Sequence, residues 1–165
     1  MIVDLSIDEV RTCALVGVQR WLTKFGSTDR PNYAGNNKRF LEPEIAANVR
    51  SIVAEYAVAK LYKKPVTLAW YPNEEHPYRS QFADVEPCYE IKSIRTKDEI
   101  PVFPKDIRAG VVIVGVRVMD SDYYSQVEVY GWRLALECQK AEWHYKPENS
   151  WRVPLDQFND SVPEW

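Results

Sequence analysis

The feature that most constrains the fold is the run VVIVGVRV at residues 111–118, β-branched throughout except at Gly115 and Arg117. A strand with one wet face alternates apolar and polar residues, so a continuous valine-rich run predicts a strand buried on both faces. Such a strand needs a layer on each side, and two helical patterns upstream can supply cover. Ser6 and Glu9 form a capping-box pair ahead of Val10, Ala14, Val18, Trp21, Leu22 and Phe25, which predicts a helix over about 7–24. Pro43 suits the first turn of a second helix. Ile45, Val49, Ile52, Val53, Tyr56 and Leu61 carry it to about Tyr62, ahead of Pro65.

Strands are expected at VTLAWY (66–71), on the approach to Asp84 through Gln81, Phe82 and Ala83, at CYEIKSIRT (88–96) and at QVEVYGW (126–132). The stretch GSTDRPNYAGNNKR (26–39) reads as a loop, as does the proline-flanked PNEEHPYRS (72–80). KDEIPVFPKDIRAG (97–110) reads as a polar connection with room for one helical turn. A last helix is expected around RLALECQKAEW (133–143), then an irregular tail with one extended piece at WRVPL. The predicted architecture is α/β, a mixed central sheet of about four to five strands flanked by helices in the order α-α-β-β-β-β-α. At 165 residues this is one domain: an N-terminal helix and basic loop over 1–42, a core over 43–155 and a tail over 156–165.

Apolar residues make up 45% and charged ones 27%, a globular rather than disordered composition. No stretch reaches membrane-span length and MIVDLSIDEV lacks a secretory signal, so the expectation is a cytoplasmic protein with no membrane partner. Cys13, Cys88 and Cys138 are odd in number and far apart, and read as free thiols. The net charge of −3 weighs against a polyanionic partner, but the charge is unevenly spread. Residues 20–39 sum to +4 and 50–64 to +3, whereas nine acids against four bases give −5 from residue 120 onward. The N-terminal half is therefore the candidate nucleic-acid face.

Alternate residues of a strand share a face, which puts Glu90 and Lys92 on one side, about 7 Å apart, and Tyr89, Ile91 and Ser93 on the other. Asp84 precedes Glu90 by six positions across a turn containing Pro87, so a hairpin returns its carboxylate toward Glu90. Two convergent carboxylates form a hard-oxygen site suited to Mg²⁺ or Mn²⁺, with Lys92 placed to orient water or to stabilise a phosphorane. The structural alternative is an exposed, salt-bridging strand face.

Asp84 followed by Glu90-Ile91-Lys92 resembles the Asp…(Asp/Glu)-x-Lys signature of the PD-(D/E)XK, or restriction-endonuclease-like, nucleases. Glu55 in IVAEYAVAK strengthens the likeness. It is a single acid among apolar residues, costly there unless paired or bound to metal, and the text EYAVAKLY resembles the helix segment of small phage-type members. Glu55 also reads as a boundary residue paired with Lys60 or Arg50. The resemblance spans roughly residues 43–155. It departs from the family at Ala83, where a proline often stands, and at Pro87-Cys88, where glycine is commoner.

The resemblance implies a metal-dependent deoxyribonuclease. Its catalytic residues would be Glu55, Asp84, Glu90 and Lys92, and its metal ligands Glu55, Asp84, Glu90 and the backbone carbonyl of Ile91. For DNA, duplex or single-stranded, the candidates are Arg30, Lys38, Arg39, Lys60, Ser93, Arg95 and Lys105. Lys105 and Arg108 are expected near the same sheet edge as the site. A rival reading is a catalytically silent binding module on the same fold, and a homo-oligomer is compatible with either. His76 and His144 have no zinc-type spacing, and Trp70, Tyr71, Tyr123, Tyr124, Trp132, Trp143 and Trp151 are core residues or base-stacking platforms.

Overall fold

Ser6 and Glu9 close the expected capping box: the Ser6 N–H donates to Glu9 Oε2 at 2.7 Å and the Glu9 N–H to Ser6 Oγ at 3.3 Å. With its first turn satisfied, helix α1 runs over Ile7–Lys24, as predicted. Helix α2 spans Leu41–Tyr62 with Pro43 in its first turn. The two pack so closely at Gly17 that an added Cβ would lie 2.6 Å from Val49 Cα. The computed structural model describes residues 1–24, 41–68, 83–95, 97–119 and 122–163.

The described strands are β1 (Ile2–Asp4), β2 (Tyr89–Ile94), β3 (Glu99–Val102), β4 (Val112–Val118), β5 (Gln126–Leu134), β6 (His144–Tyr145) and β7 (Ser150–Pro154). They form a four-stranded mixed sheet ordered β1-β5-β4-β2, in which β2 and β4 are parallel, and a three-stranded antiparallel sheet ordered β3-β7-β6. β4 meets the expectation for the valine run. Val112, Val114, Val116 and Val118 pack in a core with α1 and α2, while Ile113 packs in a second core with Ile100, Val102, Val153 and Phe158. Two apolar faces leave alternation unable to fix the register of β4. Gly115 helps to fix it, since a Cβ there would stand 3.0 Å from Ile100 of the second sheet.

The order along the described chain is β-α-α-β-β-β-β-β-β, which differs from the predicted α-α-β-β-β-β-α. The last helix does not form: β5 continues through Leu134, paired with Val112, and two single 3₁₀ turns follow at Ala135–Cys138 and Ala141–Trp143. Buried Ala135 and Cys138 are three residues apart, a spacing that a 3₁₀ turn and an α-helix both produce. β1 is too short to leave an alternation signal. β3 lies inside the polar connection because it is an edge strand, where Pro101 lacks only an outward N–H. Of VTLAWY, Val66 makes an isolated bridge to Val85 and residues 69–71 lie outside the described residues, as do Gln81 and Phe82.

No helix among the described residues is long and apolar enough to cross a membrane.

Candidate active site

β2 is an edge strand of the four-stranded sheet, and the site is built along its open edge. The Val85 N–H donates to Tyr89 O at 3.1 Å and the Tyr89 N–H to Val85 O at 2.9 Å, closing the expected hairpin around Pro87. Both backbone groups of Tyr89 thus face outward, and two residues on those of Ile91 face the same way. Asp84 Oδ2 accepts the Ile91 N–H at 2.9 Å. The Ile91 carbonyl therefore points to the edge that Asp84 occupies.

Tyr89 and Ile91 pack toward the helices, whereas Glu90 and Lys92 point to the other face, as alternation requires. There each meets the turn after β3. Arg108 Nη2 lies 2.5 Å from Glu90 Oε1, and Lys92 Nζ lies 2.8 Å from Asp106 Oδ1. Asp106 is itself only 3% exposed, and its second oxygen accepts the Phe103 N–H at 3.0 Å.

Glu55 reaches the region from α2 and is 2% exposed. Its partner is neither Lys60 nor Arg50 but Arg20 of α1, whose Nη1 donates to Oε1 at 2.8 Å, with Ser51 Oγ donating to the same oxygen at 3.2 Å. Arg20 Nη2 donates to the Thr67 carbonyl at 2.9 Å, and the Thr67 N–H donates to the Asp84 carbonyl at 3.2 Å. One arginine thereby links both helices to the segment that carries Asp84. Glu55 Oε2 is buried with no hydrogen-bond partner among the described residues.

The acids influence one another. Burial, then the charge of Asp84, raises the Glu55 pKa to about 7 against the pull of Arg20. Burial likewise raises the Asp84 pKa against its Ile91 hydrogen bond and the charges of Lys92 and Arg20. Glu90 is pushed up by burial and by Asp84, with Lys92 and Arg108 opposing. Asp84 accepts a backbone N–H, as Asp106 does, but unlike Glu55, Glu90 and Asp106 it has no ion pair at salt-bridge distance among the described residues. Desolvated carboxylates that repel one another, one with an unmet oxygen, fit a hard cation by donor chemistry. Among the described residues, however, no three His, Cys, Asp or Glu side chains form a group that could hold a metal ion.

The structure brings Glu55, Asp84, Glu90 and Lys92 into one electrostatic network. The proposed DNA contacts are scattered. Ser93, Arg95 and Lys105 are exposed, while Lys60 is tied to Glu9 Oε2 at 2.8 Å and the Asp4 carbonyl at 2.9 Å. Arg30, Lys38, Arg39, Trp70, Tyr71 and His76 lie outside the described residues. Sequence reasoning missed Asp106 and the role of Arg20. Phe103 has no side-chain acceptor to complete a capping box with Asp106, so no local signal marks the first, and nothing local marks a pair 35 residues apart such as Arg20–Glu55. Comparison with protein-family models, curated proteins and solved structures found no match.

Proposed function

We propose that this chain is a divalent-metal-dependent nuclease that hydrolyses DNA phosphodiester bonds at the edge of β2. The observation that carries the reading is the Oε2 of buried Glu55, which has no hydrogen-bond partner among the described residues and feels the charge of an Asp84 that the Ile91 N–H fixes on the strand bearing Glu90 and Lys92. A buried carboxylate oxygen left without a partner costs stability, and a bound cation removes that cost.

Asp84, Glu90, Glu55 and the Ile91 carbonyl would hold Mg²⁺ or Mn²⁺, which when bound supplies a water of lowered pKa and neutralises charge on the scissile phosphate. The chain's own residues do the rest. The Ile91 N–H aims the Asp84 carboxylate, so that no side-chain entropy is lost in placing it. Asp106 pairs with Lys92 and holds its Nζ on the same side of β2 as Glu90. From there Lys92 orients a water or stabilises the extra negative charge of the phosphorane. Arg20 limits the repulsion between Glu55 and Asp84 and keeps the helix-borne acid on the site.

The three ion pairs Arg20–Glu55, Lys92–Asp106 and Arg108–Glu90 favour a second reading, a silent binding module whose acids are satisfied internally. Incubating the protein with linear, circular and single-stranded DNA in Mg²⁺, Mn²⁺ or chelator separates the two. The nuclease cuts at least one substrate in metal and none in chelator. Intact DNA in every mixture refutes the proposal in favour of the silent module.

A further inference from the structure

One short turn supplies partners to both charged residues of the Glu-x-Lys pair: Asp106 to Lys92, and Arg108 to Glu90. The two contacts are not equivalent. Asp106 is buried and pinned by the Phe103 N–H, and the Lys92 side chain is 17% exposed, so this pair is fixed in the interior. The Arg108 side chain is 40% exposed above a Glu90 side chain that is 14% exposed, so the arginine is the outer member of its pair. Two residues on, exposed Gly110 adopts φ +75°, and a Cβ there would meet nothing within 4 Å among the described residues.

A guanidinium keeps its charge at any working pH, and while it sits on Glu90 it repels a divalent ion from that carboxylate. Its planar fork also matches two oxygens of a phosphate. Resting on the nuclease reading above, we propose that Arg108 is the internal counter-cation of Glu90, surrenders that carboxylate to the divalent ion, and then takes a phosphate oxygen of the DNA. Arg108 is then a phosphate-binding residue whose engagement depends on metal.

Calorimetric titration of Mn²⁺ into wild type and Arg108→Gln, without DNA, tests the exchange. Removing a competing charge-assisted hydrogen bond tightens Mn²⁺ binding by about tenfold in the variant. A measurement on wild type guards against a variant that fails to fold: the ¹⁵N resonance of Arg108 Nε shifts as Mg²⁺ is added. Mn²⁺ binding that is equal or weaker in Arg108→Gln than in a metal-binding wild type, or an Arg108 resonance unmoved at saturating Mg²⁺, overturns the exchange and leaves the assignment of the metal site standing. Absence of Mn²⁺ binding to wild type overturns that assignment and the exchange together.

Discussion

Glu55 gives a prediction in which stability and function oppose each other. Its carboxyl has a pKa near 7 in the folded protein against a reference value of 4.5, so between those values the folded state holds a proton that the unfolded state has released. Stability conferred by that proton is complete below pH 4.5 and is lost as pH rises through 7. At 1.36 kcal/mol per unit, the loss between pH 5 and pH 8 is about 2.5 kcal/mol, or a fall of roughly 5–10 °C in Tm for a chain of this size. Glu55→Gln mimics the protonated form and lacks this dependence. Its weaker contact with Arg20 adds an offset that does not vary with pH, so the informative quantity is the change in the wild-type-minus-variant difference. Urea unfolding of both proteins at pH 5, 6, 7 and 8, in chelator, measures it. Wild type should lose about 2.5 kcal/mol relative to Glu55→Gln across that range. Parallel curves would refute the argument that Glu55 is a desolvated acid whose charge Arg20 offsets only in part.

Other substitutions test separate parts of the account. Asp106→Asn keeps an acceptor for the Phe103 N–H but removes the negative charge paired with Lys92, and should lower kcat on the order of tenfold with KM unchanged in steady-state assays. Gly131→Ala places a Cβ 2.0 Å from the Asn159 carbonyl at φ +137°, and should cost roughly 3 kcal/mol by denaturant unfolding. Gly110→Ala, where φ +75° opposes the change and no described residue lies within 4 Å of the new Cβ, should cost about 1 kcal/mol, and equal losses at the two glycines would refute the steric argument. Replacing Arg30, Lys38 and Arg39 by Ala should weaken DNA binding and flatten its salt dependence by up to about 0.9 log units per lost phosphate contact. An unchanged slope assigns phosphate binding to another surface.

Elements with dense local signals were readable from the sequence. The Ser6–Glu9 box, the periodicity of α2 and the valine run of β4 each carry their pattern within a few residues, and each forms as expected. The failures arise where a local pattern serves two structures or where partners are distant. Ala135 and Cys138 satisfy helical spacing, yet the ladder partners Ile113 and Val112 draw Arg133 and Leu134 into β5. In β3 the proline suggested a loop because its place on an edge depends on β7, some fifty residues later. At the site, alternation correctly placed Glu90 and Lys92 on one face and the turn returned Asp84 to the strand. The counter-ions Arg20, Asp106 and Arg108 come from α1 and from the turn after β3, and tertiary packing alone brings them there.

The most direct test of the central claim is the initial rate of DNA cleavage as a function of Mg²⁺ concentration, for wild type and Asp84→Asn side by side. The account predicts a wild-type rate that rises from zero and saturates with metal. Asp84→Asn, which keeps an acceptor for the Ile91 N–H but loses the anionic ligand, should be slower on the order of 10² to 10³-fold at every concentration. A wild-type rate of zero throughout, or equal rates for the two proteins, would contradict it.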